Sequence, residues 1–171
     1  MTYAADRLFE EVAYVAYHFH WSMDQIMDLE HADLRPNQRV LVYGAGGTVG
    51  RMALQIAASG AAYVIAATNS AQVDTVRADG ADLVVDYTTA GWKQSEWTPV
   101  DVVFSLAPAG IVDLADIAGL LTPGGVLVSA AAPLPPDMPD RVRAVRMASH
   151  PDADQLAELV ALVDAGTLRP V

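Results

Sequence analysis

Residues 39–58 constrain the fold most, because they join a short apolar run, a glycine cluster and an amphipathic run. Residues 40–43 have the length and apolar character of a buried strand. The apolar residues that come next at helical spacing are Val49, Met52, Ala53, Ile56 and Ala57. A strand, a tight glycine turn and a helix bring backbone N–H groups and the positive end of a helix dipole to one point, which suits a pyrophosphate. We therefore predict a dinucleotide site here, with an ordinary strand-to-helix turn as the alternative.

The glycines fit the dinucleotide-binding pattern in one register. A strict G-x-G-x-x-G that starts at Gly44 fails because position 49 is Val49. The register Ala45-x-Gly47-x-x-Gly50 fits, with alanine first. Gly47 then gives the phosphates room, and Gly50 lets the helix pack close to the strand. The predicted phosphate-binding residues are Ala45, Gly46, Gly47, Thr48, Val49 and Gly50.

Composition excludes several classes of protein. The 171 residues, 53% hydrophobic and 18% charged, suit one folded core. A net charge of −11 argues against a nucleic-acid partner. The absence of cysteine excludes disulfides and thiolate zinc sites and fits a reducing compartment. No run of about 18 apolar residues and no basic N-terminal region occur, so we expect a soluble cytoplasmic protein with no membrane association.

From residue 39 onward, apolar strands alternate with helices. The predicted strands are residues 40–43, 63–68, 83–87, 100–104, 126–129 and 143–147. The predicted helices follow the glycine turn and span residues 71–78, 111–121 and 151–165. Near-continuous apolar strands between helices indicate a parallel sheet covered on both faces. The fold class is therefore α/β, a doubly wound Rossmann-type sheet of five or six strands over residues 34–171.

Residues 1–33 differ from the rest and are predicted to form a helical hairpin. Leu8, Val12 and Val15 mark an apolar helical face. Ser22 and Gln25 match a capping box for a second short helix. Two small helices cannot make a core of their own, so this hairpin must pack on something.

Five motifs carry a resemblance to a known family. They are residues 44–50, 80–87, 100–104, 123–128 and 162–170, in this order. These motifs and their order resemble those of the medium-chain dehydrogenases/reductases, most of all the zinc-independent quinone oxidoreductase branch. The resemblance implies the cofactor half of an NAD(P)H-dependent reductase. It also implies that Tyr87 lies near the adenine, Leu106 and Ala107 near the nicotinamide ribose, and Ala130 in the nicotinamide pocket.

The departures from that family concern the flanking regions. A catalytic domain of more than a hundred residues precedes the cofactor domain in the family, whereas 33 residues precede it here. Residues 6–21 resemble a small helical family of actinobacterial phage-tail-like injection clusters, which implies a fusion near residues 29–34. The alternative is a hairpin that replaces the missing domain. Either way we expect an exposed sheet edge and apolar surface, and hence a homo-oligomer or a partner protein bound through residues 1–33.

The end of the second strand indicates the cofactor. An acid there would bind the ribose hydroxyls of NAD, but the chain has Thr68, Asn69 and Ser70. This favours NADP, with NAD still possible, because a carboxylate repels the 2′-phosphate. The family often carries a lysine a few residues later, where this chain has Val73. Arg77, one turn further on, is a candidate to take the place of that lysine, or a solvated helix residue.

No catalytic or metal-binding set emerges from the spacing of titratable residues. The histidines lie at His18, His20, His31 and His150, in patterns that do not suggest a metal site. Ser105 at the end of the fourth strand is a candidate donor to a ribose, or a capping residue. The first hypothesis is an NAD(P)H-dependent oxidoreductase module that transfers hydride to an enone or quinone-like acceptor and is incomplete alone. The alternative is a non-catalytic binding or assembly module that docks through its hairpin.

Overall fold

The computed structural model describes residues 37–60, 62–93, 97–107, 114–147 and 153–171. The predicted hairpin over residues 1–33 lies outside the described residues. The strands are β1 Arg39–Tyr43, β2 Tyr63–Thr68, β3 Leu83–Asp86, β4 Val100–Ser105, β5 Leu121–Ser129 and β6 Arg143–Arg146. The helices are α1 Thr48–Ser59, α2 Val73–Ala78, α3 Leu114–Ala118 and α4 Ala153–Asp164, with a 3₁₀ turn at Ser70–Gln72.

The six strands form one sheet in the order β3-β2-β1-β4-β5-β6. Every adjacent pair is parallel. The chain therefore runs outward from β1 to β3, crosses back to β4 beside β1, and then runs outward to β6. This confirms the predicted doubly wound α/β fold. The strand order reverses between β1 and β4, and a crevice forms at the carboxyl ends of strands at such a point.

Both faces of the sheet are covered, which explains why the central strands are apolar throughout. On one face, Val42, Val64 and Phe104 pack in a core cluster with apolar residues of α1, α2 and α4. On the other face, Leu41 and Ile65 pack with residues of α3 and of the connecting loops. All five of these strand residues are fully buried. Burial on both faces leaves no position for the polar residues of an alternating strand.

Two predicted boundaries around β5 are wrong. The helix predicted over residues 111–121 spans Leu114–Ala118 among the described residues, because Leu121 pairs with Val100 in the sheet. The strand predicted to begin at Val126 begins at Leu121. The register of β4 and β5 shifts between Val100 and Val102, so the Pro-Gly-Gly segment lies in an irregular part of the strand instead of in a separate turn.

Few large hydrophobic side chains are exposed among the described residues. They are Tyr63, 41% exposed, and Val171, 43% exposed. In the part of the chain that the structure describes, no helix is both long and apolar enough to cross a membrane.

Candidate functional site

The glycine turn between β1 and α1 is fixed to the carboxyl edge of the sheet. The N–H groups of Gly44 and Ala45 both donate to the Ala67 carbonyl at the end of β2, each at 3.1 Å. The Gly47 N–H donates to the Gly44 carbonyl at 3.2 Å, which closes the turn on itself. The chain thus enters α1 directly above the point where the strand order reverses.

The glycines of the turn have different roles. Gly44 has a φ of +86°, which favours glycine. A Cβ on Gly50 would lie 2.7 Å from Ala45 Cα, so this position lets α1 pack against the turn, as predicted. A Cβ on Gly46 would lie 2.5 Å from Thr68 Oγ1. A Cβ on Gly47 would meet no atom nearer than 3.6 Å, so the space above Gly47 is open to a ligand.

A cavity of about 300 Å³ lies beside this turn. Its lining comes from the ends of β1, β2, β3 and β4 and from the turn after β2. The lining residues are Gly44, Gly46, Gly47, Thr68, Asn69, Gln72, Tyr87, Leu106 and Ala107. The structure therefore brings together seven of the predicted site residues, and it adds Gly44 and Gln72.

The start of α1 is suited to an anion. Gly47 caps the helix without a side-chain hydrogen bond, and the first turn has no acidic residue. Helix geometry leaves the N–H groups of the first turn without acceptors inside the helix, and the dipole makes this end positive. A phosphate placed above Gly47 would meet both features.

Arg51, the basic residue of α1, is already paired. Arg51 Nε lies 2.5 Å from Asp79 Oδ2, and Arg51 Nη2 lies 3.3 Å from Asp79 Oδ1. Asp79 is only 4% exposed, and Arg169 Nη2 lies 3.8 Å from Asp79 Oδ1. Arg51 therefore ties α1 to the end of α2, which leaves backbone N–H groups at the start of α1.

The β2 side of the cavity is polar but uncharged. Thr68 is buried at the end of β2, and Asn69 Oδ1 accepts a hydrogen bond from the Ala71 N–H at 3.0 Å. The 3₁₀ turn Ser70–Gln72 then carries Gln72 back to the cavity wall. Gln72 was not predicted because no sequence motif marks it; its one signal is its position three residues after Asn69, within the turn after β2.

Aromatic rings support this side of the cavity. The Tyr87 ring, in the cavity wall, lies 5.3 Å from the Tyr43 ring, and the Tyr43 ring lies 5.6 Å from Trp92. Trp92 stacks on Trp97 at 6.2 Å. Burial, and secondarily the neighbouring Tyr87 phenol, raises the pKa of Tyr43 above its ordinary value of 10.0. These rings form an aromatic wall next to the cavity, in which Tyr43 and Trp97 are buried and Tyr87 and Trp92 are partly exposed.

The other predicted site residues lie around the cavity without lining it. Ala45, Val49 and Gly50 are buried in the packing beneath the turn, whereas Thr48 and Ser70 are exposed. Ala130, at the end of β5, packs against the core, and its N–H donates to the Ser105 carbonyl at 3.0 Å.

The described residues do not suit a metal ion. The chain has no cysteine, and the described ranges contain no group of three His, Asp or Glu side chains that could hold a metal ion. The four histidines lie outside the described residues.

Comparison with known proteins identifies two families along the chain. The model of a family described as zinc-binding dehydrogenase matches residues 80–171. The model of a family of unknown function matches residues 1–39. The second match covers the segment that the sequence analysis set apart, and it extends to the first residue of β1.

Individual relatives cover different parts of the chain. A mitochondrial NAD(P)H oxidoreductase from Drosophila melanogaster is 40% identical over 76 residues, which is 43% of this chain. The polyketide synthase GfsB from Streptomyces halstedii is 33% identical over 175 residues, which covers 95% of this chain. The quinone oxidoreductase structure from Coxiella burnetii superposes with a TM-score of 0.72 at 22% identity over 86% of this chain, which shows the shared fold.

The chain spans only part of each of these relatives. The matches cover 18% of the Drosophila protein and 3% of the polyketide synthase. The structural match covers 47% of the Coxiella protein. The dehydrogenase model itself matches the second half of this chain, from the turn before β3 to the last residue.

Proposed function

Because the chain belongs to the zinc-binding dehydrogenase family, within the medium-chain dehydrogenases/reductases, we propose that it binds a nicotinamide dinucleotide as part of an oxidoreductase of the quinone oxidoreductase type. One observation carries the proposal: the cavity at the β1–β4 boundary joins an open glycine position, Gly47, to the positive end of α1. The described residues fit a dinucleotide, whereas they do not fit the zinc ion of the family's name.

The chain's own residues would hold the dinucleotide in a set order. Backbone N–H groups at Gly47 and the first turn of α1 would bind the pyrophosphate. Thr68, Asn69 and Gln72 would face the adenosine ribose, with Tyr87 beside the adenine. Leu106 and Ala107 would bound the nicotinamide side. This order follows from the topology, because a dinucleotide in such a crevice extends across the β1–β4 boundary.

We propose NADP as the preferred cofactor. The lining of the cavity contains no carboxylate to repel a 2′-phosphate. It also contains no lysine or arginine, and Arg77 is exposed on the last turn of α2. The preference for NADP over NAD is therefore expected to be modest, since a charged donor would strengthen it.

Reduced nicotinamide, when bound, supplies a hydride, and we propose an enone or quinone-like small molecule as the acceptor. The described residues position the cofactor but offer little to an acceptor, since Leu106 and Ala107 have no polar side chain. Tyr87 is the titratable residue of the lining. We therefore propose that residues outside this domain complete the acceptor site, and that this chain alone reduces acceptors weakly.

Calorimetric titration of the full chain with NADPH and NADH tests the proposal. The unmodified protein is expected to bind both, and Gly47→Leu to bind neither, because its side chain would occupy the open space above the turn. Circular dichroism of the variant shows whether its fold is intact. If the unmodified protein binds neither nucleotide, the proposed function is wrong.

A second proposal concerns assembly, and the separate family match over residues 1–39 favours it. We propose that residues 1–33 bind a second copy or a partner protein. Light scattering over a concentration series compares the full chain with residues 34–171. If the full chain associates and residues 34–171 do not, the proposal is supported. If both proteins are monomers, self-association is contradicted.

A further inference from the structure

Two serines occupy equivalent places at the carboxyl edge but differ in their hydrogen bonds. Ser105 ends β4, Ser129 ends β5, and the two are partners in the register of these strands. Both are fully buried. Ser129 Oγ donates to the Ala132 carbonyl at 2.6 Å, whereas Ser105 Oγ meets no hydrogen-bond partner within the described residues. The fold thus explains the hydroxyl of Ser129 and leaves that of Ser105 unexplained.

A buried hydroxyl without a partner lowers stability, because it has lost its bonds to water and gained none. Alanine at position 105 would avoid this cost while keeping the strand. Unsatisfied groups of this kind are rare in folded proteins and require an explanation such as a role toward a ligand.

The position of Ser105 indicates which part of a ligand its hydroxyl would meet. Its register partner on the other side is Tyr43, the last residue of β1, which precedes the glycine turn. Its next two residues, Leu106 and Ala107, line the cavity. Ser105 therefore stands at the β1–β4 boundary, on the opposite side of the turn from Thr68, Asn69 and Gln72.

We propose that the Ser105 hydroxyl forms a hydrogen bond to the nicotinamide riboside of the bound dinucleotide; this inference rests on the proposed function. A pyrophosphate at the turn divides the dinucleotide into two nucleosides, one over β2 and β3 and one over β4 and β5. On the β4 side, Leu106 and Ala107 supply no polar side chain, and the hydroxyl that precedes them is, within the described residues of this connection, the side-chain group available to a ribose hydroxyl or the carboxamide. The hydroxyl is fully buried and does not itself line the cavity, so this bond requires Leu106 and Ala107 to move.

The two serines give a matched pair of variants. Ser105→Ala removes an unsatisfied group, so its melting temperature is expected to equal or exceed that of the unmodified chain. Its affinity for NADPH is expected to fall about fivefold, the value of one neutral hydrogen bond. Ser129→Ala breaks a formed bond, so it is expected to melt at a lower temperature while the ratio of NADPH to ADP affinity stays unchanged.

The experiment is calorimetric titration of the full chain and both variants with ADP, ADP-ribose and NADPH. The expected result is that Ser105→Ala weakens NADPH and leaves ADP unchanged. Weakening of ADP-ribose assigns the bond to the ribose, and unchanged ADP-ribose assigns it to the carboxamide; both support the inference. Unchanged NADPH affinity, or an equal loss for ADP, overturns it. If the unmodified chain binds none of the three, the proposed function fails and this inference with it; binding by that chain with no effect of Ser105→Ala overturns the inference alone.

Discussion

The two sides of the carboxyl edge contribute unequally to the cavity. On the side of β1, β2 and β3, the described residues give a closed glycine turn, three polar side chains and an aromatic wall. On the side of β4, β5 and β6, they give Leu106, Ala107 and an unsatisfied buried hydroxyl. Both sides come from the same parallel sheet, so the difference lies in the connections that leave the strand ends.

The first side is built by local chain connections. The turn after β1 leads directly into α1, and the 3₁₀ turn after β2 begins two residues beyond the strand. Short connections of this kind hold their side chains at the strand ends without help from another domain. On the proposed function, the described residues therefore offer polar groups to one nucleoside of the dinucleotide and few polar groups to the other.

The largest effect is expected from a substitution in the glycine turn of the β1–β2–β3 side. Gly50→Ala would place a Cβ 2.7 Å from Ala45 Cα, so backbone must move, and we expect a loss of about 3 kcal/mol or more in the free energy of unfolding. Gly47→Ala is the matched control, because its Cβ would meet nothing nearer than 3.6 Å, and we expect a change within about 1 kcal/mol. Urea denaturation measures both. Equal losses would contradict the distinct roles of the two glycines.

The next effect tests whether the basic residue of α1 serves the fold or the ligand. Asp79→Asn removes the buried partner of Arg51, and we expect a loss of about 2 kcal/mol, between the values for exposed and buried ion pairs. Nucleotide affinity is expected to stay unchanged. Asp116→Asn applies the same substitution to the more exposed pair with Lys93, where the loss is expected to stay below about 1 kcal/mol. A rise in NADPH affinity for Asp79→Asn would show that the freed Arg51 reaches the phosphates.

A smaller effect sharpens the chemistry of the adenosine side. Gln72→Lys places a cation on a cavity wall that has only neutral polar groups. We expect the ratio of NADPH to NADH affinity to rise about tenfold, because a charged donor binds the 2′-phosphate more strongly than an amide does. Arg77→Gln is the control and should leave the ratio unchanged. An unchanged ratio for Gln72→Lys would place the 2′-phosphate elsewhere.

The smallest effect concerns the aromatic wall. Burial raises the pKa of Tyr43, so the folded state holds this proton more tightly than the unfolded chain does. The stability that this provides is complete below the ordinary value of 10.0 and is lost as the pH rises toward the folded pKa. Tyr43→Phe should therefore flatten the alkaline loss of stability in urea denaturation. Identical alkaline profiles for Tyr43→Phe and the unmodified chain would contradict a buried phenol.

The sequence predicted the regular parts of this fold well, for a physical reason. Strands buried on both faces are continuous apolar runs, so β2 was predicted to the residue and β1 to within one residue at its start. At β5 the prediction was wrong because a Pro-Gly-Gly sequence is typical of a turn. Gly124 does adopt a φ of +85°, but the pairing of Leu121 with Val100 extends the strand across this segment. Sheet pairing joins residues that are distant in sequence, and local patterns do not encode it.

The cavity shows the same limit. Gly46 and Gly47 follow from a motif with a mechanical reason, and the structure places both in the lining. Gln72 has no motif, and only the 3₁₀ turn after Asn69 brings it to the wall. Likewise, the unsatisfied state of Ser105 depends on the hydrogen bonds of its neighbours, which only coordinates reveal.

The difference between the two sides is tested most directly by titrating the unmodified chain with ADP and with NADH under the same conditions. ADP carries the adenosine and pyrophosphate groups that the β1–β2–β3 side would hold, and NADH adds only the nicotinamide riboside. We predict that ADP binds, and that NADH binds no more than about tenfold tighter, since the second side adds about one hydrogen bond. Tight binding of NADH without measurable binding of ADP would place the affinity on the β4 side and contradict the account.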